Sequence, residues 1–95
     1  MKKAVWNGQT LAQSNDLEEV EGNYYFPASS LNMDYFEKSN TTSVCPWKGT
    51  AAYYHLKAGG EQLEDAAWYY PNPKEAAQHI EGRVAFYPSV DIIDA

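Results

Sequence analysis

Residues 41–56 read Thr41-Thr42-Ser43-Val44-Cys45-Pro46-Trp47-Lys48-Gly49-Thr50-Ala51-Ala52-Tyr53-Tyr54-His55-Leu56. Two β-prone runs flank a break made by Pro46 and Gly49. Pro46 has no N–H and a fixed φ, and Gly49 opens conformations closed to other residues, so the chain is expected to turn sharply between two strands. Cys45 and Lys48 then share one small loop. Along the second run, alternation puts Tyr53, His55 and Lys57 on one face and Tyr54 and Leu56 on the other.

The pattern extends in both directions. Toward the N-terminus, Asn7-Gly8 divides Lys3–Trp6 from Gln9–Gln13 and suits the two positive φ angles of a type I′ hairpin. A strand over Leu17–Glu21 is expected to turn at Gly22-Asn23 into Tyr24-Tyr25-Phe26, which Pro27 stops. Leu31, Tyr35 and Phe36 in the stretch 28–38 suggest one or two helical turns over the sheet. Toward the C-terminus, Gly59-Gly60 leads into a strand from Leu63 to Tyr70. Strict alternation there sets Glu64, Ala66, Trp68 and Tyr70 against Leu63, Asp65, Ala67 and Tyr69. Asn72-Pro73-Lys74-Glu75 has the form of a helix start, with Asn as cap and Pro at the first helical position. Gly82 ends that helix, and short strands at Arg83–Tyr87 and Val90–Ile93 close the sheet.

The order of motifs resembles a bacterial family, the domain of unknown function numbered 427. The matching pieces are Trp6-Asn7-Gly8, Tyr25-Phe26-Pro27, Ser43-Val44-Cys45-Pro46-Trp47-Lys48-Gly49 with Ala52-Tyr53-Tyr54, Ala67-Trp68-Tyr69-Tyr70-Pro71-Asn72-Pro73, and Val84-Ala85-Phe86-Tyr87. They span nearly the whole chain. The resemblance implies a mainly β domain: a small, strongly bent antiparallel sheet, tent-like or an open barrel, with one or two short helices. It implies no settled activity. One label attached to the family mentions nucleotidyltransferase, but this chain has no Gly-rich phosphate loop followed by Lys-Ser/Thr and no close acidic pair on one strand to hold Mg²⁺.

Composition sets further bounds. Ninety-five residues make a single domain, 1–95, with one core. Eight Tyr, three Trp and three Phe supply the large side chains that so short a chain needs, for a core or for a binding surface. Thirteen acidic against seven basic residues give a net charge of −6, which repels nucleic acid. No apolar run is long enough for a secretory leader or a membrane span, and the one Cys forms no internal disulfide, so a cytoplasmic setting is expected. His55 and His79 lack ligand partners at helical or knuckle spacing, so neither a metal nor a cofactor is expected. Asp16, Glu18, Glu19 and Glu21 read as a solvated acidic face.

The candidate chemistry centres on the Cys45–Gly49 loop. An ammonium beside a thiol favours the nucleophilic thiolate, which makes Cys45 and Lys48 the catalytic candidates, with His55 or His79 as a base. Trp47 offers a flat surface for a ring or a cation. Tyr53, Tyr54, His55, Trp68 and Tyr70 are candidate ligand contacts, and Arg83 a candidate clamp for a carboxylate or phosphate. Against these stand ordinary structural roles: Cys45 as a small buried hydrophobe, Trp68 and Tyr70 as core anchors, and Arg83 in a surface ion pair. The leading expectation is a small-ligand-binding domain built around the loop and its aromatic neighbours. The alternatives are an enzyme with Cys45 as nucleophile or a nucleotidyltransferase-like transferase, and a structural or protein-interaction module, including a homo-oligomer.

Overall fold

The computed structural model describes residues 1–95. Nine strands form three antiparallel sheets, none closed into a barrel. The first sheet has β1 (Lys2–Trp6) between β2 (Gln9–Ser14) and β9 (Asp91–Asp94). A small hairpin pairs β3 (Glu18–Val20) with β4 (Asn23–Tyr25). The largest sheet runs in the order β5 (Phe36–Cys45), β6 (Gly49–Ala58), β7 (Glu61–Tyr69), β8 (Val84–Phe86). The two final strands therefore separate: β8 completes the large sheet, whereas β9 crosses to β1.

Turn chemistry accounts for the hairpins. Asn7 and Gly8 hold φ of 50° and 76°, as a two-residue type I′ connection requires, with Trp6 paired to Gln9. The second turn sits one residue earlier than expected, at Glu21 and Gly22 with φ of 54° and 80°, so Asn23 already belongs to β4. A glutamate in the left-handed region is uncommon, and the reason for this one emerges at the site.

The one or two helical turns expected in 28–38 are present as 3₁₀ turns, whereas the helix expected from Asn72 to Gly82 is corrected to a shorter 3₁₀ stretch. The stretch 28–38 forms turns at Ala28–Ser30 and Met33–Tyr35, and Phe36 begins β5. Asn32 interrupts the helix because its N–H bonds to the Leu11 carbonyl at 2.8 Å while its side chain accepts from the Asp34 N–H. The second segment is a kinked 3₁₀ stretch, Glu75–Ile80, that starts from Lys74 with no side-chain cap. Asn72–Lys74 stay outside the helix: Lys74, with ψ of 161°, is the cap, and its N–H meets the Lys48 carbonyl at 2.9 Å. Six residues beyond that point are also too few to offset the cost of nucleating a helix.

The large sheet carries packing on both faces. Residues paired across strands share a face, which sorts the register into two sets. Tyr54, Leu56, Ala67, Val84 and Phe86 join Ala4, Leu11, Ala12, Phe26 and Val90 in one cluster under the first sheet. Ala51, Tyr70 and Ala85 join Val20, Tyr25, Ala77 and Ile80 in a second, under the small hairpin and the last 3₁₀ turn. Tyr25 and Phe26 are adjacent in sequence yet enter different clusters, because Phe26 exchanges both backbone hydrogen bonds with Val84 at 2.8 Å.

Two wide bulges interrupt the sheet side by side. Lys38 pairs with Tyr54 and Thr42 with Ala52, leaving Ser39, Asn40 and Thr41 opposite Tyr53 alone. Tyr54 pairs with Ala67 and Leu56 with Leu63, leaving Glu64, Asp65 and Ala66 opposite His55. An even insertion keeps the side-chain alternation on either side of it. Within the second bulge, Asp65 takes a φ of 51°, and Ala66 turns into the same cluster as Ala67 rather than to the opposite face.

Candidate functional site

The Cys45–Gly49 segment is a tight hairpin loop in which Cys45 pairs with Gly49 across Pro46, Trp47 and Lys48. Gly49 has φ of 114°, and a Cβ there would meet the Asn72 carbonyl and the Lys74 backbone at 3.5 Å. The strand-exit segment 72–74 thus lies directly over the loop. It is clamped by the Lys74 N–H on the Lys48 carbonyl and by Lys74 Nζ on the Pro46 carbonyl at 2.7 Å. With its carbonyls bonded and its glycine covered, the loop is a rigid platform.

That platform directs Lys48 inward. Lys48 is the buried charged residue of the molecule, 7% exposed. Its ammonium donates to Glu21 and lies 5.4 Å from the Trp47 ring centroid and 5.6 Å from that of Tyr70. Burial works against the charge, but the Glu21 hydrogen bond and the nearby phenols of Tyr25 and Tyr70 outweigh it, and Lys48 titrates above its ordinary value. The same bond holds Glu21 below the usual carboxylate range. Burial pushes the Tyr25 and Tyr70 phenols up, against the pull of the Lys48 charge. Glu21 occupies its unusual turn position with its carboxylate on the one buried cation.

From Lys48 an aromatic strip runs across the sheet. The Trp68 indole N–H donates to the Tyr25 hydroxyl at 3.1 Å, and the two rings meet edge-on at 6.4 Å. Tyr87 also packs against Trp68, with ring centroids 4.9 Å apart. Tyr53, paired with Trp68 in register, bonds the Ser43 hydroxyl at 2.7 Å. The strip ends at the bulges, where Asp65 accepts from Ser39 and from Thr41 Oγ1 at 2.8 Å, bonds that hold its carboxyl below the ordinary range. Trp47 and Tyr87 are exposed and Tyr53, His55 and Trp68 half-buried, so this face is covered at the Tyr25–Tyr70 end and open along the rest.

Other candidates lie apart or are engaged. Tyr54 is in the first core cluster, stacked on Tyr69 at 4.8 Å and edge-on to Phe36 at 5.4 Å. Arg83 gives its guanidinium to the Asp16 carbonyl and carboxylate, each at 3.0 Å, tying the start of β8 to the β2–β3 connection. His55 Nδ1 accepts the Asp65 N–H at 3.1 Å, and His79 is exposed in the last 3₁₀ turn. The Cys45 thiol is half-buried against the second cluster.

A family model described as a domain of unknown function (DUF427, NTP_transf_9) matches residues 2–95. The chain belongs to that family. No curated protein matches it in sequence. In this DUF427 domain the Cys-Pro-Trp-Lys-Gly segment is a clamped hairpin loop that delivers Lys48 to Glu21, Tyr25 and Tyr70. The largest concavity, about 510 Å³, lies beyond the loop, between Thr50, Ala52, Pro71 and Lys74. Sequence reasoning in the DUF427 domain missed Glu21, Tyr25 and Tyr87. Glu21 carries one local sign, a non-glycine directly before a hairpin glycine, and the other two carry none.

Proposed function

We propose that the protein binds a small, ring-bearing ligand on the half-open face of the large sheet, beside the Cys45–Gly49 loop. The observation that carries this reading is Trp68, half-exposed yet fixed by its hydrogen bond to Tyr25 and its edge contact with Tyr87. A pre-oriented indole loses little freedom when a ring lies against it, whereas a mobile one must first be ordered. Tyr53 and Trp47 extend the platform, and the Lys48 ammonium, packed on Tyr70 beneath, marks its charged end. Cys45 enters as part of the wall, its sulfur packed on the cluster that contains Tyr25 and Tyr70. A fixed aromatic surface beside a few polar groups suits stacking with a ring.

A thermal-shift screen with aromatic and heteroaromatic metabolites tests the proposal, because a ligand of the folded state raises the melting temperature. The expected result is a set of compounds whose stabilisation is lost in Trp68→Phe and Trp47→Ala. Stabilisation that survives both substitutions, or none from any ring compound at millimolar concentration, would overturn it.

A further inference from the structure

Lys48 poses a charge-balance problem that narrows the ligand class. Its ammonium has three donors and one carboxylate partner, and it sits among ring faces with almost no access to water. A buried cation left without an anion is strongly destabilising. Its counter-ion is anchored lightly. Glu21 sits at the tip of a hairpin of two three-residue strands, its side chain 52% exposed, on a backbone with φ of 54°. The lysine is therefore fixed by a clamped loop, and the carboxylate is delivered by the smallest sheet of the molecule.

We infer that the ligand of this face is a ring-bearing organic anion, a carboxylate or phosphate, and that Glu21 is the internal occupant it displaces from Lys48. The inference rests on the ligand-binding reading above. It follows from comparing what each ligand class does to the buried charge. An incoming anion replaces one carboxylate by another acceptor, so Lys48 stays paired and the released Glu21 goes into water, which half surrounds it already. A neutral ring leaves the pair intact and gains only stacking. A cation brings like charge beside Lys48, which is unfavourable in so dry a setting. The exposed ring of Trp47 beside the ammonium supplies apolar contact for the rest of such a ligand. The Glu21 side chain alone then acts as the latch, while Val20 and Tyr25 keep the hairpin itself packed in the second cluster, and the apparent affinity is reduced in proportion to the small fraction of molecules whose Lys48 is free of Glu21.

The test is isothermal titration of the wild-type protein and of Glu21→Gln, Glu21→Gly and Lys48→Met with benzoate, phenyl phosphate, benzyl alcohol and benzylamine. Glu21→Gly removes the carboxylate while suiting the positive φ of residue 21, so the turn survives where Gln might strain it. Benzoate or phenyl phosphate is expected to bind the two Glu21 variants at least about tenfold more tightly than the wild type. Benzyl alcohol and benzylamine gain nothing, and Lys48→Met loses the anion's advantage. The two anions compared with each other separate a carboxylate from a phosphate ligand. Equal anion affinity in wild type and both Glu21 variants, or an equal gain for benzylamine, overturns the inference. If benzyl alcohol and benzoate bind every variant alike, the ligand face stands and the anion falls; if no ring compound binds any folded variant, both fall.

Discussion

The two faces of the large sheet are made of the same residue types and do different work. Under the first sheet, Phe36, Tyr54, Tyr69 and Phe86 pack ring on ring, and Leu56 is fully buried beneath them. Under the small hairpin, Tyr25, Tyr70 and Trp68 also pack, but around an ammonium, a thiol and several hydroxyls, and the cover stops half-way along the strands. The second side also carries the left-handed Asp65, the left-handed Glu21 and the buried cation. Strain and buried charge lower stability and persist where the surroundings fix them, often in the service of a site. The sealed face therefore carries most of the apolar packing, and the half-open face is the one to which the proposed ligand is assigned.

The contrast breaks most visibly in stability. Leu56→Ala empties a fully buried position on the sealed side, with an expected loss of about 3 kcal/mol and a drop in Tm of more than about 10 °C. Urea denaturation checks it, and a loss below about 1 kcal/mol would mean that this side is not the main source of stability. Gly49→Ala addresses the loop. The neighbouring Asn72 and Lys74 backbone leaves ordinary contact distance for a methyl, so the cost is that of holding alanine at φ of 114°, about 1–3 kcal/mol. The same denaturation measurement reads it.

The ion pair gives a pH signature. Glu21 titrates below 4.5 in the folded chain, so its contribution is present above 4.5 and is lost as pH falls through the lowered folded value. Lys48 titrates above 10.5, so its contribution is present below 10.5 and is lost as pH rises through the raised folded value. The pair therefore supports the fold between these limits. Melting curves of wild type and Glu21→Gln should differ most near neutral pH and converge toward acid, whereas a constant difference at all pH values would separate Glu21 from Lys48. The smallest effect is expected at Tyr53→Phe, which removes the hydroxyl bonded to exposed Ser43 and costs about 0.5–1 kcal/mol, while leaving the ring in place for a ligand.

What could be read in advance follows from the range of each interaction. The Asn7-Gly8 turn and the Cys45–Gly49 hairpin were legible because two or three neighbouring residues decide them, and both stand where the sequence puts them. The start of the helix expected from Asn72 was not, because Lys74 is extended against the Lys48 carbonyl, a contact distant in sequence, and the 3₁₀ stretch begins only at Glu75. Of the candidate site, Lys48, Trp47, Trp68, Tyr53, Tyr70 and Cys45 gather on or beside one face. Glu21 read as one of several solvated acids, since nothing local connects residue 21 with residue 48. The bulges were equally hidden: each adds two residues and preserves the alternation from which strands are read.

The tryptophans give the most direct measurement of the central claim. Trp47 and Trp68 lie on the half-open side, and Trp6 packs against the sealed cluster. Their three indole N–H signals can be followed by two-dimensional NMR during titration with the compound that gives the largest thermal shift. Movement of the Trp47 and Trp68 signals with Trp6 unchanged is the expected result. Movement of Trp6 alone, with the other two still, would place binding on the sealed side and contradict the account.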